Sequence, residues 1–332
     1  MKINILKNYI FLIIFAGFIS CNKEAKLKII EGNAIGTTFS IRYLDISNLK
    51  FETKIDSLIL AVNKSVSTYI PTSDISKINK GDSTVLVDHF FEEIFLKSEK
   101  IHVETNGAFD PTIGILVNAW GFGPEKSIKN LDSIKINELL NFVGFSKVKL
   151  EDKKITKLYS EIYFDFNAIA KGYLVDVVGR LFEQHNIENY MVEIGGEIRA
   201  KGLNEHGEFW RIAIENPNED GSRSFATTIQ LKNESMATSG NYRKYRTTTD
   251  GTKYVHTINT KTGYATASNL LSASVISKSD CADVDAYATA FMAMGLEKSE
   301  EFLNNHNELK AFLIYADENG EIKTFKSANF ED

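Results

Sequence analysis

A carboxylate and a hydroxyl group lie four residues apart near the end of the chain, at Asp285 and Thr289. The apolar periodicity predicts a helix over residues 283–294 that stops at Gly295, so both side chains would lie on one helix face. This oxygen pair suits Mg²⁺, which takes few protein ligands, keeps several waters and also binds substrate phosphates. The same spacing is common on solvated helix faces, so the pair alone leaves that alternative open.

Residues 165–172 join a short apolar strand candidate, residues 162–166, to an amphipathic helical pattern. Such a junction gathers free backbone N–H groups at the positive end of a helix, and Lys171 adds a cation, so a phosphate fits there. In the alternative, Asp165 is a helix cap and Lys171 is a solvated charge.

Glycine-rich loops and one histidine complete the candidates. Residues 106–123 carry glycines, which allow the backbone to approach a ligand closely, and aromatic side chains, which offer flat surfaces to a ring. In the alternative, the segment is a turn-rich connection whose aromatic side chains lie in the core. Residues 193–197 and 237–242 are glycine-marked and could be turns or bulges without a ligand. His256 lies in a strand-like segment, where most histidines are packed or surface residues, but imidazole titrates near neutral pH and makes it the natural general base.

These candidates are positioned by a mixture of helices and strands. Helical spacing covers residues 51–62, residues 91–101 behind the candidate cap Asp88, and residues 169–181. Strand-like segments cover residues 37–43, 147–150, 190–194, 209–214, 225–231, 254–259, 271–276 and 311–315. Short polar turns join several of them, which favours hairpins. The fold class is therefore predicted to be α+β, with helices packed on a largely antiparallel mixed sheet.

Composition narrows the function classes. The chain has 332 residues, with 38 Lys plus Arg against 44 Asp plus Glu and a formal net charge of −6. That balance argues against nucleic-acid binding, which would usually show a basic stripe. A hydrophobic share of 43% is typical of soluble globular chains. Without repeats or low-complexity tracts, residues 27–332 are predicted to form one domain.

The N-terminus has the pattern of a secretory signal. Lys2 and Lys7 precede an apolar run over residues 9–19, too short for a bilayer core but long enough for a signal sequence, and Ser20 and Cys21 follow. This end resembles a bacterial lipoprotein processing site, which predicts removal of residues 1–20, a lipid on Cys21 and a tether over residues 21–26. An ordinary secretory peptide or an uncleaved anchor remains the alternative. The lipoprotein interpretation predicts an extracytoplasmic protein held at a membrane surface on the periplasmic side.

Five separated motifs occur in one order along the chain: residues 67–79 (STYIPTSDISKIN), 107–123 (GAFDPTIGILVNAWGFG), 165–176 (DFNAIAKGYLVD), 193–197 (EIGGE), and 256–263 (HTINTKTG) leading to 282–289 (ADVDAYAT). Together they resemble the ApbE family, flavin transferases that move FMN from FAD onto a threonine or serine of a target protein. The resemblance covers nearly all of residues 30–320 and implies one compact catalytic domain.

The resemblance also implies roles for individual residues. Tyr69 would stack on the isoalloxazine ring, and the Ala168 carbonyl would join Asp285 and Thr289 as a magnesium ligand. The FAD pocket would be lined by Ile35, Ala108, Phe109, Asp110, Asp165 and Lys171. Ile35 stands where the family often has methionine, and Asn259 and Thr260 replace a frequent Asp-Pro pair.

The reaction implied is attack by a target hydroxyl on the FMN-side phosphorus of FAD, with release of AMP. Magnesium and Lys171 would neutralise phosphoryl charge, and His256 is the expected base, with Asp165 as runner-up. The family suggests acceptors among membrane redox-complex subunits. A FAD pyrophosphatase that releases FMN and AMP, and a non-catalytic FAD-binding lipoprotein, are the alternatives.

Overall fold

The computed structural model describes residues 25–46, 49–129, 131–218, 222, 224–240, 245–247, 253–265 and 268–331. Within these residues the helices are α1 (Glu52–Val66), α2 (Asp74–Asn79), α3 (His89–Glu104), α4 (Gly114–Ala119), α5 (Ser133–Leu140), α6 (Ala170–Gln184), α7 (Cys281–Met294) and α8 (Leu296–Asn305). The predicted cap is confirmed, because Asp88 accepts a hydrogen bond from the N–H of Phe91 at the start of α3. Gly295 ends α7 with φ +79°, as the sequence predicts.

The strands form one large sheet and three hairpins. They are β1 (Lys26–Ala34), β2 (Thr37–Asp45), β3 (Val148–Glu151), β4 (Lys154–Lys157), β5 (Tyr190–Ile194), β6 (Glu197–Lys201), β7 (Trp210–Glu215), β8 (Phe225–Leu231), β9 (Ser235–Gly240), β10 (Tyr245–Thr247), β11 (Lys253–Val255), β12 (Leu270–Ser277), β13 (Lys310–Ala316) and β14 (Ile322–Lys326). The large sheet has the order β1-β2-β5-β6-β9-β12-β13-β14, with every neighbouring pair antiparallel. The predicted α+β class with a largely antiparallel sheet is confirmed.

Helices cover one face of the large sheet. The main core includes α1, α3, α6 and α7, and α7 packs against β9, β12, α3, α6 and α8. Since α7 is buried on nearly every side, it is apolar all round rather than amphipathic. A carboxylate on this helix, such as that of Asp285, is therefore removed from bulk water.

The opposite face is covered by the β7–β8 hairpin. Trp210, Ile214 and Leu231 from this hairpin form a second apolar cluster with Ile198 and Met236 of the sheet. Central strands are consequently buried on both faces, so that nearly every residue of β5 and β12 is buried and burial does not alternate along them.

A third cluster joins α4 and α5 to Ile258. Trp120 Nε1 donates to the Gly263 carbonyl at 2.8 Å, and Thr260 Oγ1 donates to the Gly107 carbonyl at 2.5 Å. Gly263 has φ +74°, and a Cβ there would lie 2.7 Å from the side chain of Ile136. These contacts fix the segment that follows His256 against the glycine-rich loop.

Two strand predictions are corrected. Residues 162–166 are extended and place Phe164 and Phe166 in the core, but only Tyr163 forms a bridge, to Ile113. The side chain of Asn79 replaces a partner strand, since Nδ2 donates to the Phe164 carbonyl at 2.9 Å and Oδ1 accepts the Phe164 N–H at 2.7 Å.

The predicted strand over residues 254–259 is also shorter than expected. β11 ends at Val255, and beyond it only Ile258 forms an isolated bridge, to Ala265. Ile258 leaves the strand path because it packs between α4 and α5. His256 therefore follows a strand instead of lying within one.

The predictions for the N-terminus, residues 1–20 and Cys21, lie outside the described residues. Among the helices that are described, none has the length and apolar character needed to cross a membrane. Cys281 is buried at the start of α7.

Candidate active site

A cleft of about 1230 Å³ gathers residues from separate parts of the chain. Every candidate from the sequence except Cys21 lines it: Ile35, Tyr69, Ala108, Phe109, Asp110, Asp165, Ala168, Lys171, His256, Asp285 and Thr289. Its walls come from the β1–β2 turn, the loop before α4, the start of α6, the segment after β11, and α7.

Asp285 is buried where α7 meets the first turn of α6. The Gly172 N–H donates to Asp285 Oδ2 at 3.0 Å. Gly172 is the third residue of α6, so its N–H is one of the first four in the helix that lack a carbonyl partner within it. The Ala168 carbonyl precedes the N-cap Ile169 and therefore lies outside the helix ladder. Burial raises the pKa of Asp285, against the opposing effects of Lys171 and the Gly172 N–H.

The two helices cap each other. Asp176 of α6 accepts the backbone N–H groups of Cys281 and Ala282, each at 2.9 Å, so a neighbouring helix supplies the cap of α7. Asp176 is paired with Arg199 at 2.8 Å, and burial, with the nearby Asp280 carboxylate, raises the pKa of Asp176 to about 6. Gly172 and Asp176 are four residues apart on α6, and Cys281 and Asp285 are four residues apart on α7. The two contacts, Gly172 with Asp285 and Asp176 with Cys281, therefore fix how the two helices align along each other.

Lys171 bridges two buried carboxylates. Its Nζ contacts Glu197 Oε1 directly and lies 3.9 Å from Asp285 Oδ1. The pKa of Glu197 is raised to about 8, chiefly by burial. Lys171 lowers this pKa, and the Asp285 carboxylate raises it further. Within the described chain, Glu197 Oε2 is buried and has no hydrogen-bond partner.

Glu197 is the site residue to which the sequence assigned no role. Two glycines precede it, Gly195 and Gly196, both with positive φ, and a Cβ at Gly195 would lie 2.7 Å from the Thr37 side chain. The glycine pair was the sequence signal that could have identified Glu197, because two glycines allow a tight β5–β6 turn and Glu197 directly follows them at the cleft wall.

The oxygen atoms beside α7 fit a small divalent cation. Asp285 offers a carboxylate, Ala168 offers a carbonyl outside the helix ladder, and Thr289 offers a hydroxyl 3.1 Å from Ser239 Oγ. In the described part of the chain no three His, Cys, Asp or Glu side chains form a metal cluster. One carboxylate with neutral oxygens is a donor set for Mg²⁺, which completes its shell with water and phosphate.

Two further carboxylates of the cleft, those of Asp110 and Asp165, differ in what they bind. Asp110 is turned into the protein, where Oδ1 accepts from the N–H and hydroxyl of Thr112 and Oδ2 accepts from the Phe145 N–H. Asp165 Oδ1 accepts from the Asn167 N–H at 2.8 Å, and burial raises the pKa of Asp165. The geometry therefore gives Asp110 a loop-shaping function and leaves Asp165 oriented at the cleft.

The rim of the cleft carries an unusual turn and an exposed tyrosine. Ile35 and Gly36 join β1 to β2 with φ values of +49° and +73°, and such a conformation is rare for a β-branched side chain. Tyr69 is 58% exposed, so its ring is open to a ligand. Burial of part of the ring and the Asp165 charge raise the pKa of the Tyr69 hydroxyl.

His256 lines the cleft from the segment that follows β11. Its ring centroid lies 6.4 Å from that of Phe122, in an edge-on arrangement. It shares the cleft with Asp165 and Lys171, as a base acting on a bound substrate would.

The family of the chain follows from sequence similarity over most of its length. The sequence model of the ApbE family matches residues 35–313. The chain belongs to the ApbE family. A Vibrio cholerae relative named FAD:protein FMN transferase is 37% identical over 96% of this chain and 96% of its own length, and a Haemophilus influenzae relative of the same name is 35% identical over 93% and 92%.

Solved ApbE structures share the fold. The flavin transferase ApbE from Vibrio cholerae aligns with a TM-score of 0.82 at 34% identity, covering 92% of this chain and 98% of that one. The apo flavinyl transferase ApbE from Pseudomonas stutzeri aligns with a TM-score of 0.81 at 27% identity, covering 92% and 96%. The antiparallel sheet with helices on one face is thus the ApbE architecture.

Proposed function

We propose that this ApbE-family protein is an enzyme that transfers FMN from FAD to a threonine or serine hydroxyl of an acceptor protein, with Mg²⁺ and release of AMP. The observation that carries the proposal is the single cleft lined by every candidate residue of the folded chain. Its volume exceeds the roughly 300–1,000 Å³ of most small-molecule sites, which leaves space for a dinucleotide and an acceptor side chain together.

In the proposed step, the acceptor hydroxyl oxygen attacks the FMN-side phosphorus of FAD. A P–O bond forms to the acceptor, the P–O bond of the diphosphate bridge breaks, and AMP leaves with the electron pair. His256 takes the hydroxyl proton, because imidazole is a base near neutral pH. Asp165 is the second candidate, and its raised pKa is compatible with accepting a proton.

Charge at the diphosphate is balanced by the chain's own groups. Lys171 is held at the cleft by Glu197 and Asp285. Burial lowers the pKa of its ammonium group, but the Asp285 and Glu197 carboxylates outweigh that effect, raise the pKa and keep the group charged. Asp285, Thr289 and the Ala168 carbonyl would hold magnesium. When bound, the ion would withdraw charge from the phosphoryl oxygens and the leaving group.

We also propose that residues 1–21 direct the protein to the periplasmic side of a membrane as a lipoprotein anchored at Cys21. Acceptors would then be membrane redox-complex subunits whose threonine or serine faces the same compartment. The support for this location is the signal-like sequence pattern.

The test uses the purified chain, FAD, Mg²⁺ and a detergent extract of membranes from cells that lack this gene. We expect a protein band with flavin fluorescence after electrophoresis. Free FMN and AMP without a band would instead indicate hydrolysis, and unchanged FAD would indicate binding alone.

Two asparagine variants on α7 make the test specific. Asp285→Asn should lose transfer by about a hundredfold or more at millimolar Mg²⁺ and lose Mg²⁺-dependent thermal stabilisation. Asp283→Asn is the matched control, because Asp283 pairs with Lys97 at 2.9 Å and is not part of the cleft wall. Full transfer by Asp285→Asn would contradict the proposed metal site.

A further inference from the structure

The carboxyl group of Glu197 lies deep in the wall of the cleft. Glu197 begins β6, and its side chain is only 2% exposed, whereas that of Lys171 beside it is 30% exposed. The turn that precedes Glu197 is anchored to β2, because the Gly195 N–H donates to the Thr38 carbonyl at 3.0 Å. Glu197 is therefore a fixed group, whereas the Lys171 side chain reaches the open part of the cleft.

The same turn packs along the side chain of Lys171. A Cβ at Gly195 would lie 3.3 Å from Lys171 Cδ, so a larger residue here would press on the methylene chain of the lysine. Two residues further on, Glu197 Oε1 contacts Lys171 Nζ directly. Residues 195–197 thus contact Lys171 near the middle and at the end of its side chain, which fixes the position of its charge.

A second carboxylate is within reach of Lys171. Asp285 Oδ1 lies 3.9 Å from Lys171 Nζ, about 1 Å beyond the roughly 2.7–2.9 Å of a direct hydrogen bond between an ammonium group and a carboxylate. The four-carbon chain of lysine is flexible, so a small rotation would bring these two groups together. A direct pair would cover the carboxylate proposed to bind Mg²⁺ and would draw the ammonium group away from the diphosphate.

We infer that Glu197 is a positioning residue that holds the Lys171 ammonium group apart from Asp285. This inference rests on the proposed function and adds to it how a cation and a metal ligand work side by side without forming a direct pair. Glu197 can hold the ammonium group in either protonation state, because a neutral carboxyl group keeps an oxygen that accepts a hydrogen bond. The glycines and the final glutamate of residues 193–197 then serve together to place the charge of Lys171.

The first experiment measures Mg²⁺ binding in the absence of FAD, from the Mg²⁺-dependent rise in the melting temperature of the full chain. Glu197→Met keeps an unbranched side chain of similar length but cannot hold an ammonium group, so Lys171 should pair directly with Asp285. Mg²⁺ must then displace a charge-assisted hydrogen bond, and its dissociation constant should rise about tenfold to a hundredfold. Glu197→Leu is a second apolar variant of different shape and should give the same result.

A glutamine variant separates position from charge. Glu197→Gln removes the charge but keeps an acceptor oxygen at the same reach, so its Mg²⁺ affinity should stay close to that of the wild type. If Glu197 acted only by attracting Mg²⁺ through its negative charge, the glutamine and methionine variants would weaken binding equally.

Removing the lysine tests the cause of the loss. In Glu197→Met/Lys171→Met no ammonium group remains at this position to cover Asp285, so Mg²⁺ affinity should return at least to the wild-type value. Glu234→Met is the matched control, because Glu234 is also a buried carboxylate paired with a lysine, Lys310 at 2.7 Å, but does not line the cleft. This control should change stability without changing Mg²⁺ affinity.

Transfer assays distinguish positioning from a folding defect. At saturating Mg²⁺ Asp285 is occupied and releases Lys171, so Glu197→Met should need about tenfold to a hundredfold more Mg²⁺ but approach the wild-type maximal rate. The double variant should bind Mg²⁺ normally and still transfer slowly, since it lacks the ammonium group at the diphosphate. A distorted site would instead lose transfer rate at every Mg²⁺ concentration.

Three results would each overturn the inference: wild-type Mg²⁺ affinity in both apolar variants, an equal loss in Glu197→Gln, or a loss that Lys171→Met does not relieve. Each would leave the proposed function intact, because the wild type would still bind Mg²⁺ and transfer flavin. Absence of Mg²⁺-dependent stabilisation in the wild type would refute the proposed metal site, and the inference with it.

Discussion

Substituting Gly172 with alanine tests whether the separation of α6 and α7 controls the site. A Cβ at this position would lie 2.3 Å from the Cys281 carbonyl oxygen and 2.8 Å from the Ala282 nitrogen. These atoms are backbone, so no side chain can rotate away. Restoring ordinary contact at about 3.4 Å requires the helices to part by about 1 Å.

The expected loss of stability is modest. Overpacking of this kind costs about 1–3 kcal/mol, and replacing a helical glycine by alanine returns up to about 1 kcal/mol. The net change of about 0–2 kcal/mol should leave a folded protein, given a typical stability of roughly 5–15 kcal/mol.

The expected loss of activity is much larger. Movement of α7 by about 1 Å would stretch the 3.0 Å hydrogen bond from the Gly172 N–H to Asp285 and displace the carboxylate from Lys171. A misplacement of that size costs about a hundredfold in rate. We therefore expect a hundredfold slower transfer and a higher Mg²⁺ requirement in a protein of nearly normal stability.

The assay combines urea unfolding with flavin transfer over a range of Mg²⁺ concentrations. Gly179→Ala, on the same helix, is the matched control because its Cβ would meet side-chain atoms of Arg199 at 2.9 Å and no backbone atom is among its three nearest contacts. Wild-type transfer by Gly172→Ala, or an equal loss in both variants, would refute the reasoning.

Three further predictions concern single side chains. His256→Ala should retain FAD but transfer it about 10²–10⁴-fold more slowly, measured by single-turnover fluorescence, and an unchanged rate would move the base function to Asp165. Asp176 has a folded pKa of about 6, above its ordinary value of 3.8, so the native state holds a proton that the unfolded chain has lost between these pH values. The unfolding free energy of the wild type, measured in urea, should thus exceed that of Asp176→Asn by most near pH 4, and this difference should fall by up to about 3 kcal/mol by pH 7. A difference that rises with pH would show that attraction between Asp176 and Arg199 dominates. Asn79→Ala should lower the unfolding free energy by about 2–4 kcal/mol, because the Phe164 N–H and carbonyl both lose their partner, and a loss below about 1 kcal/mol would indicate that another group replaces the amide.

The sequence predicted the features that depend on local periodicity. The Asp88 cap, the end of α7 at Gly295 and the shared helix of Asp285 and Thr289 all follow from spacing within one element. Site residues on separate loops, such as Tyr69, were predicted only from the resemblance to the ApbE family, because no local pattern indicates that these loops meet.

Features that depend on distant partners could not be predicted. The apolar character of residues 162–166 predicts a buried extended segment, but it cannot reveal that the partner is the Asn79 amide rather than a strand. Asp110 lies in a motif at the cleft, yet its oxygens are occupied by Thr112 and Phe145, which only the folded loop shows.

The turn at Ile35 and Gly36 lines the cleft with an apolar side chain in a backbone conformation that is unfavourable for that side chain. A hairpin of this shape favours asparagine before glycine, and a branched aliphatic side chain there costs about 1–2 kcal/mol in backbone energy. Replacing Ile35 with asparagine should therefore stabilise the turn and remove an apolar side chain from the lining of the cleft. Thermostable forms of this protein are better sought by changing the outer helices, with the β1–β2 turn left as it is.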